Sequence, residues 1–136
     1  LPQDIGPALN GSIGTLPGTD SPGMAKYSDL ASAAGFKPGP FSMESYDAAA
    51  LILLAMEATK SSDSQVYKYA IDEIANAPGE IIYPGELGKA LDLLKAGKDI
   101  DYVGASAVEL VGGGESAGNY AIMEVIDGKN VPVSYK

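Results

Sequence analysis

Four residue types are missing from this chain of 136 residues: cysteine, histidine, tryptophan and arginine, so that all nine basic residues are lysine. Without cysteine there is no disulfide and no thiolate metal site. Without histidine, Ser-His-Asp and Cys-His catalysis and imidazole-based zinc sites are excluded. Without arginine there is no bidentate guanidinium clamp for a carboxylate or phosphate. Positive charge is scarce as well: nine lysines face 18 acidic residues, a net charge of −9. Nothing here would gather phosphates, which argues against a nucleic-acid partner. The acidic surface reads first as a solubility device. The uninterrupted apolar run, Ala48 to Met56, is nine residues long, whereas a bilayer span needs about 20.

What is present is ordinary for a soluble protein: 46% hydrophobic and 20% charged residues, enough for one domain with a real core. The chain opens Leu1-Pro2-Gln3, with neither an initiator methionine nor an apolar signal region. The expectation is a processed chain or a piece of something longer, and the compartment stays open. The absence of cysteine tolerates an oxidising compartment without demanding one.

The order of elements reads as follows. Asn10 to Leu16 is a short strand of small residues, followed by a Pro17-Gly18-Thr19-Asp20-Ser21 loop. Ser21 as N-cap and Pro22 at the first helical position start a helix to about Ala34, stopped by Gly35. Gln65 to Ala77 reads as one amphipathic helix with Val66, Tyr69, Ala70, Ile74 and Ala77 inward, ended by Pro78-Gly79. Glu80 to Tyr83 is a short strand or an extended link. From Pro84 a further helix buries Leu87, Ala90, Leu91 and Leu94, with Lys95 in its last turn and Gly97 as its stop. The final third is β-rich: Tyr102 to Val111, Asn119 to Ile126 and Val131 to Tyr135, joined by Gly112-Gly113-Gly114 and by an Asp127-Gly128 hairpin turn. One strand, four helices and a β-rich tail make a mixed α/β class.

Phe41 to Thr59, FSMESYDAAALILLAMEAT, is the most informative segment. A polar loop carrying Glu44 and Tyr46 runs into a helix that Ser45 is expected to cap, with Asp47 in its first turn. From Ala48 to Met56 that helix has no wet side, so it belongs inside a larger body. A polar loop beside a rigid buried element is the usual arrangement of a binding loop. The few strands look insufficient to cover this helix, as if part of the sheet were missing.

Each candidate residue has a plain alternative. Glu44 and Asp47, three apart, are acceptors for a cationic group such as an α-amino group; otherwise Asp47 is a dipole partner and Glu44 a solvated acid. General acid-base catalysis by the pair lacks a second element to complete it. Met43 either packs against an apolar ligand side chain or is core, and Tyr46 sits at the edge with its hydroxyl satisfied. Gly112-Gly113-Gly114 lacks the spacing of a phosphate loop. Asp20 would repel an anion from the helix start at Ser21. Asp99 and Asp101 lack calcium-loop spacing.

Four segments in this order resemble the C-terminal portion of the periplasmic solute-binding proteins of branched-chain amino-acid-type ABC transporters: GSIGTLPG (11–18), SYDAAALILLAMEA (45–58), PGELGKALDLLKAGKDIDYVGASA (84–107) and NYAIMEVIDGK (119–129). The resemblance covers nearly the whole chain. It implies part of a two-lobe type I periplasmic-binding-protein fold with Rossmann-like lobes, a ligand held in the cleft, and closure about a hinge. Residues 1–18 would be the end of one lobe and a hinge crossing, 19–104 the helical part of the other lobe, and 105–136 the hinge return and C-terminal strands. The loop before the SYDAAALILL helix would reach the cleft, bringing Met43, Glu44, Tyr46 and Asp47 near ligand. Two departures stand out. No position corresponds to the family's main amino-acid clamp, which lies in the N-terminal part, and Gly112-Gly113-Gly114 replaces an acidic-Asn-Gly turn.

The resulting expectation is a non-enzymatic, periplasmic solute-binding component of an ABC transporter, without cofactor. It would take an amino acid or related carboxylate, with the membrane permease and the remaining N-terminal part of the same protein as partners. The alternative with the same fold is a ligand-sensing domain of a receptor or regulator.

Overall fold

The computed structural model describes residues 5–136. Leu1 to Asp4 lie outside the described residues, so the expected 1–18 segment is followed from Ile5. The chain is mixed α/β, as its element order implied. Its described residues divide into two compact units: 5–20 with 118–136, and 21–117.

The first unit is a three-stranded antiparallel sheet. Its strands are β1 (Ile13–Pro17), β6 (Tyr120–Ile126) and β7 (Lys129–Tyr135), in the order β1-β6-β7. Asp127 and Gly128 both have positive φ, 50° and 70°, as a two-residue type I′ hairpin requires. The hairpin register is anchored at Ile126↔Lys129, and the turn is held further by Gly128 N–H donating to Asn10 Oδ1 at 3.1 Å. β1 begins three residues later than the sequence suggests, because Asn10 to Ser12 form a turn.

The second unit carries the helices. α1 (Pro22–Ala33) has Ser21 at its N-cap, and Gly35 at φ 67° lets Phe36 N–H reach back to Ala31 O at 2.8 Å. α2 (Ser42–Thr59) starts earlier than expected. Phe41, in the left-handed region, precedes it, and Ser45 lies within the helix with its hydroxyl donating to Phe41 O. Ser45 is therefore not the cap, and Asp47 falls in the second turn. Nor is α2 covered on all sides. Ala50, Leu51, Leu54 and Ala55 are buried, but Ile52 and Leu53 are 39% and 56% exposed.

The expected helix over 65–77 is two short ones, α3 (Ser64–Tyr67) and α4 (Ile71–Ala75). Only the second packs deeply: Ile74 and Ala75 are buried, while Val66 and Tyr69 lie exposed. α5 (Leu87–Lys95) crosses between two parallel strands, β2 (Glu80–Ile82) and β3 (Ile100–Tyr102). Pro84 and Gly85 stay in the turn before it. The β-rich stretch from Tyr102 is interrupted. β3 ends at Tyr102, a loop follows, and β4 (Leu110–Gly112) pairs with β5 (Glu115–Ser116) around Gly113-Gly114.

The core of this unit packs α2 and α4 against Ile82, Ala90, Ile100 and Tyr102. Asn76 fastens β4 to it. Its amide donates to Leu110 O and accepts from Leu110 N–H, both at 2.9 Å. No helix among the described residues is long and apolar enough to cross a membrane.

Candidate functional site

In open α/β sheets, ligands bind outside the carboxyl ends of the strands. In the second unit those ends are Ile82 and Tyr102, and the segments leaving them, Tyr83–Glu86 and Val103–Ala107, meet the start of α2. Three of the four candidate residues, Met43, Glu44 and Tyr46, are half-buried at this edge.

Asp47 is different. It is 2% exposed, and both carboxylate oxygens are filled by protein donors. Oδ1 accepts from Tyr102 Oη at 2.9 Å and from Ala105 N–H at 2.8 Å. Oδ2 accepts from Ser106 N–H at 2.7 Å and Ser106 Oγ at 2.6 Å, with a longer contact from Ala105 N–H at 3.1 Å. A buried carboxylate is tolerated only when hydrogen-bonded in this way. Asp47 is thus engaged within the chain, where it pins the Gly104–Ser106 loop. Burial, then the Asp47 charge, pushes the Tyr102 phenol well above its ordinary range.

Two glycines let the backbone come this close. Gly104 has φ 63°, and a Cβ there would overlap Asp47 Oδ1. A Cβ on Gly23, in the first turn of α1, would overlap the Gly104 carbonyl.

Glu44 is the opposite case. It lies in the first turn of α2, where a negative charge is favoured. Its Oε2 is closed to solvent and has no hydrogen-bond partner among the described residues. A buried polar atom without a partner is rare in folded proteins and calls for an explanation.

Tyr46 turns to another side. Its ring meets Tyr27 at 5.4 Å between centroids, tilted 59°, and its hydroxyl receives a long contact from Gly85 N–H at 3.5 Å. Beside it lies an open cavity of about 530 Å³, lined by Tyr27, Leu30, Phe36, Tyr46 and Leu87. Near Gly85, Glu86 Oε2 accepts from Tyr83 N–H at 2.8 Å, and Lys26 Nζ is 3.7 Å from Glu86 Oε1 and 5.3 Å from the Tyr83 ring centroid. Aromatic faces, a lysine and a carboxylate thus share one edge, apt for a small molecule with both apolar and charged parts.

A second cavity, of about 600 Å³, lies at the amino ends of β2 and β3, beside Pro78 and Asp99. It is larger, but it is at the wrong end of the strands for this class of fold, so the carboxyl edge is the better site. Among the described residues, no cluster of three or more acidic side chains is arranged to hold a metal ion.

Lys26, Tyr27, Tyr83 and Glu86 were not foreseen as site residues. Their signal was positional: they flank the helix starts and strand ends that converge here. Asp47 had a legible signal of its own. It lies on the same stripe of α2 as the buried Ala50, Leu51 and Leu54, where a carboxylate has to be satisfied internally.

No family model and no solved structure matches the chain. Over 89 residues it is 33% identical to the chemotactic signal transduction system substrate-binding protein BasB of Halobacterium salinarum. That match covers 65% of this chain and 22% of the relative, so it spans about a fifth of that protein's length. The similarity agrees with a solute-binding protein, without singling out the branched-chain amino-acid transporter type.

Proposed function

We propose that this chain is part of an extracytoplasmic solute-binding protein that holds an amino acid or similar small polar ligand between two lobes. The reading extends to the branched-chain amino-acid class of ABC transporters, with a membrane permease as partner, and to binding without catalysis. The carrying observation is the identity over 89 residues to a protein named as substrate-binding. The division into two units joined by two chain passages is compatible with it, as is the edge where Met43, Glu44 and Tyr46 collect. In this mechanism Glu44 Oε2 accepts from a cationic group of the ligand, Met43 and Tyr46 contact its apolar part, and closure follows from tighter contact in the closed state.

A second reading has its own support: the relative's name places that protein in chemotactic signal transduction. Here the bound form would address a signal transducer instead of a permease.

The test is a thermal-shift and calorimetric panel on the full-length protein with branched-chain, other aliphatic and aromatic amino acids, amides and aromatic acids. A ligand at 100 times its Kd stabilises the bound form by about 2.7 kcal/mol. If no compound shifts the transition, the binding reading is wrong. If one does, and Met43→Ala with Glu44→Ala binds it as the parent does, the site is misplaced. Loss of uptake on gene deletion favours transport; loss of chemotaxis with uptake intact favours sensing.

A further inference from the structure

We propose that Asp47 is the positioning residue of the binding edge, welding the start of α2 to the Gly104–Ser106 loop and, through that loop, to the first turn of α1. The inference rests on the binding role proposed above for Met43, Glu44 and Tyr46. Two contacts and one chain adjacency carry it. Asp47 holds Ala105 and Ser106 by their N–H groups and by the Ser106 hydroxyl, at 2.6 to 3.1 Å. Gly104, within that loop, leaves no room for a Cβ on Gly23, so the first turn of α1 rests on the loop's backbone. Gly23 follows the passage at Asp20–Ser21 by two residues.

On the exit side, Val108 N–H donates to Val103 O at 3.0 Å and Ala117 N–H to Glu109 O at 2.9 Å. The chain from the loop to the second passage, at Ala117–Gly118, runs through the β4–β5 hairpin, which the Ala117–Glu109 bond closes.

The consequence follows from adjacency. Tyr46 presents its side chain to the edge, while Asp47, on the same turns of α2, grips the loop. A ligand that moves the start of α2 moves the loop and the first turn of α1 with it, because buried charge-assisted hydrogen bonds are short and strong. Packed backbone transmits such shifts. A carboxylate suits this role because it alone among side chains offers enough acceptor sites for two amides and two hydroxyls at once.

Hydrogen–deuterium exchange with peptide mapping tests the weld without a ligand. In Asp47→Asn, protection of the Ala105 and Ser106 amides should fall by about tenfold or more, equivalent to about 1.4 kcal/mol. The expected result is a parallel fall in amides 24–27 of α1 and 45–48 of α2. Ser106→Ala, which removes one 2.6 Å bond, should show the same pattern at smaller amplitude and serves if Asp47→Asn does not fold. Leu54→Ala is the control for simple destabilisation: it should raise exchange across the core without favouring these three segments. A fall confined to 105–106 in both variants, with α1 and α2 as protected as in the parent, overturns the inference. A parallel fall in a protein that binds no ligand upholds the weld and overturns the binding role instead.

Discussion

Replacing Asp47 by Asn keeps the side chain's size and changes only its charge and one acceptor. The native carboxylate is 2% exposed and takes hydrogen bonds from Tyr102 Oη, Ala105 N–H, Ser106 N–H and Ser106 Oγ. An amide offers one oxygen, and its NH₂ must face donors on the other side. If the NH₂ takes the Oδ2 position, the Ser106 hydroxyl turns to accept but the Ser106 N–H is left facing a donor. If it takes the Oδ1 position, the Tyr102 hydroxyl turns to accept, and the buried Ala105 N–H keeps only its longer 3.1 Å contact to the other oxygen. Either way one backbone donor loses its best acceptor, at about 1–3 kcal/mol. The two or so bonds that survive fall from charge-assisted to neutral strength, about 1 kcal/mol each. The sum is about 3–5 kcal/mol, a large part of the roughly 5–15 kcal/mol that holds a domain together. At about 4 °C per kcal/mol for a chain of this size, the transition should fall by roughly 12–20 °C. Urea unfolding followed by circular dichroism measures the free energy directly, with an unchanged slope showing that only stability moved. A difference below about 1 kcal/mol would mean that water replaces Asp47, and the account of this loop would be wrong.

Three further outcomes follow from the same region. Gly104→Ala places a Cβ at φ 63° against Asp47 Oδ1, so unfolding free energy should drop by more than about 1 kcal/mol; an unchanged midpoint would show that the loop backbone is free to move. The folded Tyr102 phenol is raised by burial and by Asp47, so the fold holds its proton more tightly than the unfolded chain. Its contribution is complete below about pH 10, the unfolded value, and is lost as pH rises beyond it. Between about pH 9 and about pH 11, Tyr102→Phe should therefore lose less stability than the parent when melting is followed across pH; parallel curves would refute this. Asp101 is raised by burial, then by Glu109. The folded state binds that proton more tightly, which costs stability at neutral pH and is relieved as pH falls. Asp101→Asn should melt higher than the parent at about pH 7 and together with it at about pH 3.

The legible parts of the chain were those governed by local rules. Pro22 and Gly35 bound α1, Lys95 and Gly97 close α5, and Asp127-Gly128 turns the last hairpin. In each, the conformational preference of one or two residues decides, and distant contacts have nothing to override. The single helix expected over 65–77 failed for the complementary reason. Its periodic residues Val66 and Tyr69 lie exposed, whereas Ile74 and Ala75 reach the core, so the chain breaks between Tyr67 and Ile71 and buries chiefly its second half. Amphipathic spacing states what a segment is able to bury, not whether a surface is there to receive it.

The candidate site divides along the same line. That the start of α2 carries polar residues beside a buried helix was written in FSMESYDAAALILLAMEAT. Which side each residue faces was not, because Glu44, Tyr46 and Asp47 differ in direction by helical rotation and the neighbours that sort them come from elsewhere in the chain. Asp47 meets Tyr102, Ala105 and Ser106, more than 50 residues away. Tyr46 meets Tyr27 and Gly85. By itself the sequence determined the class of fold, the helix stops and the hairpin turns, since these follow from backbone preferences and periodicity. Only the tertiary structure decided that one carboxylate is locked inside and its neighbour Glu44 keeps an unpartnered oxygen, because that depends on which distant donors the folded chain brings within about 3 Å.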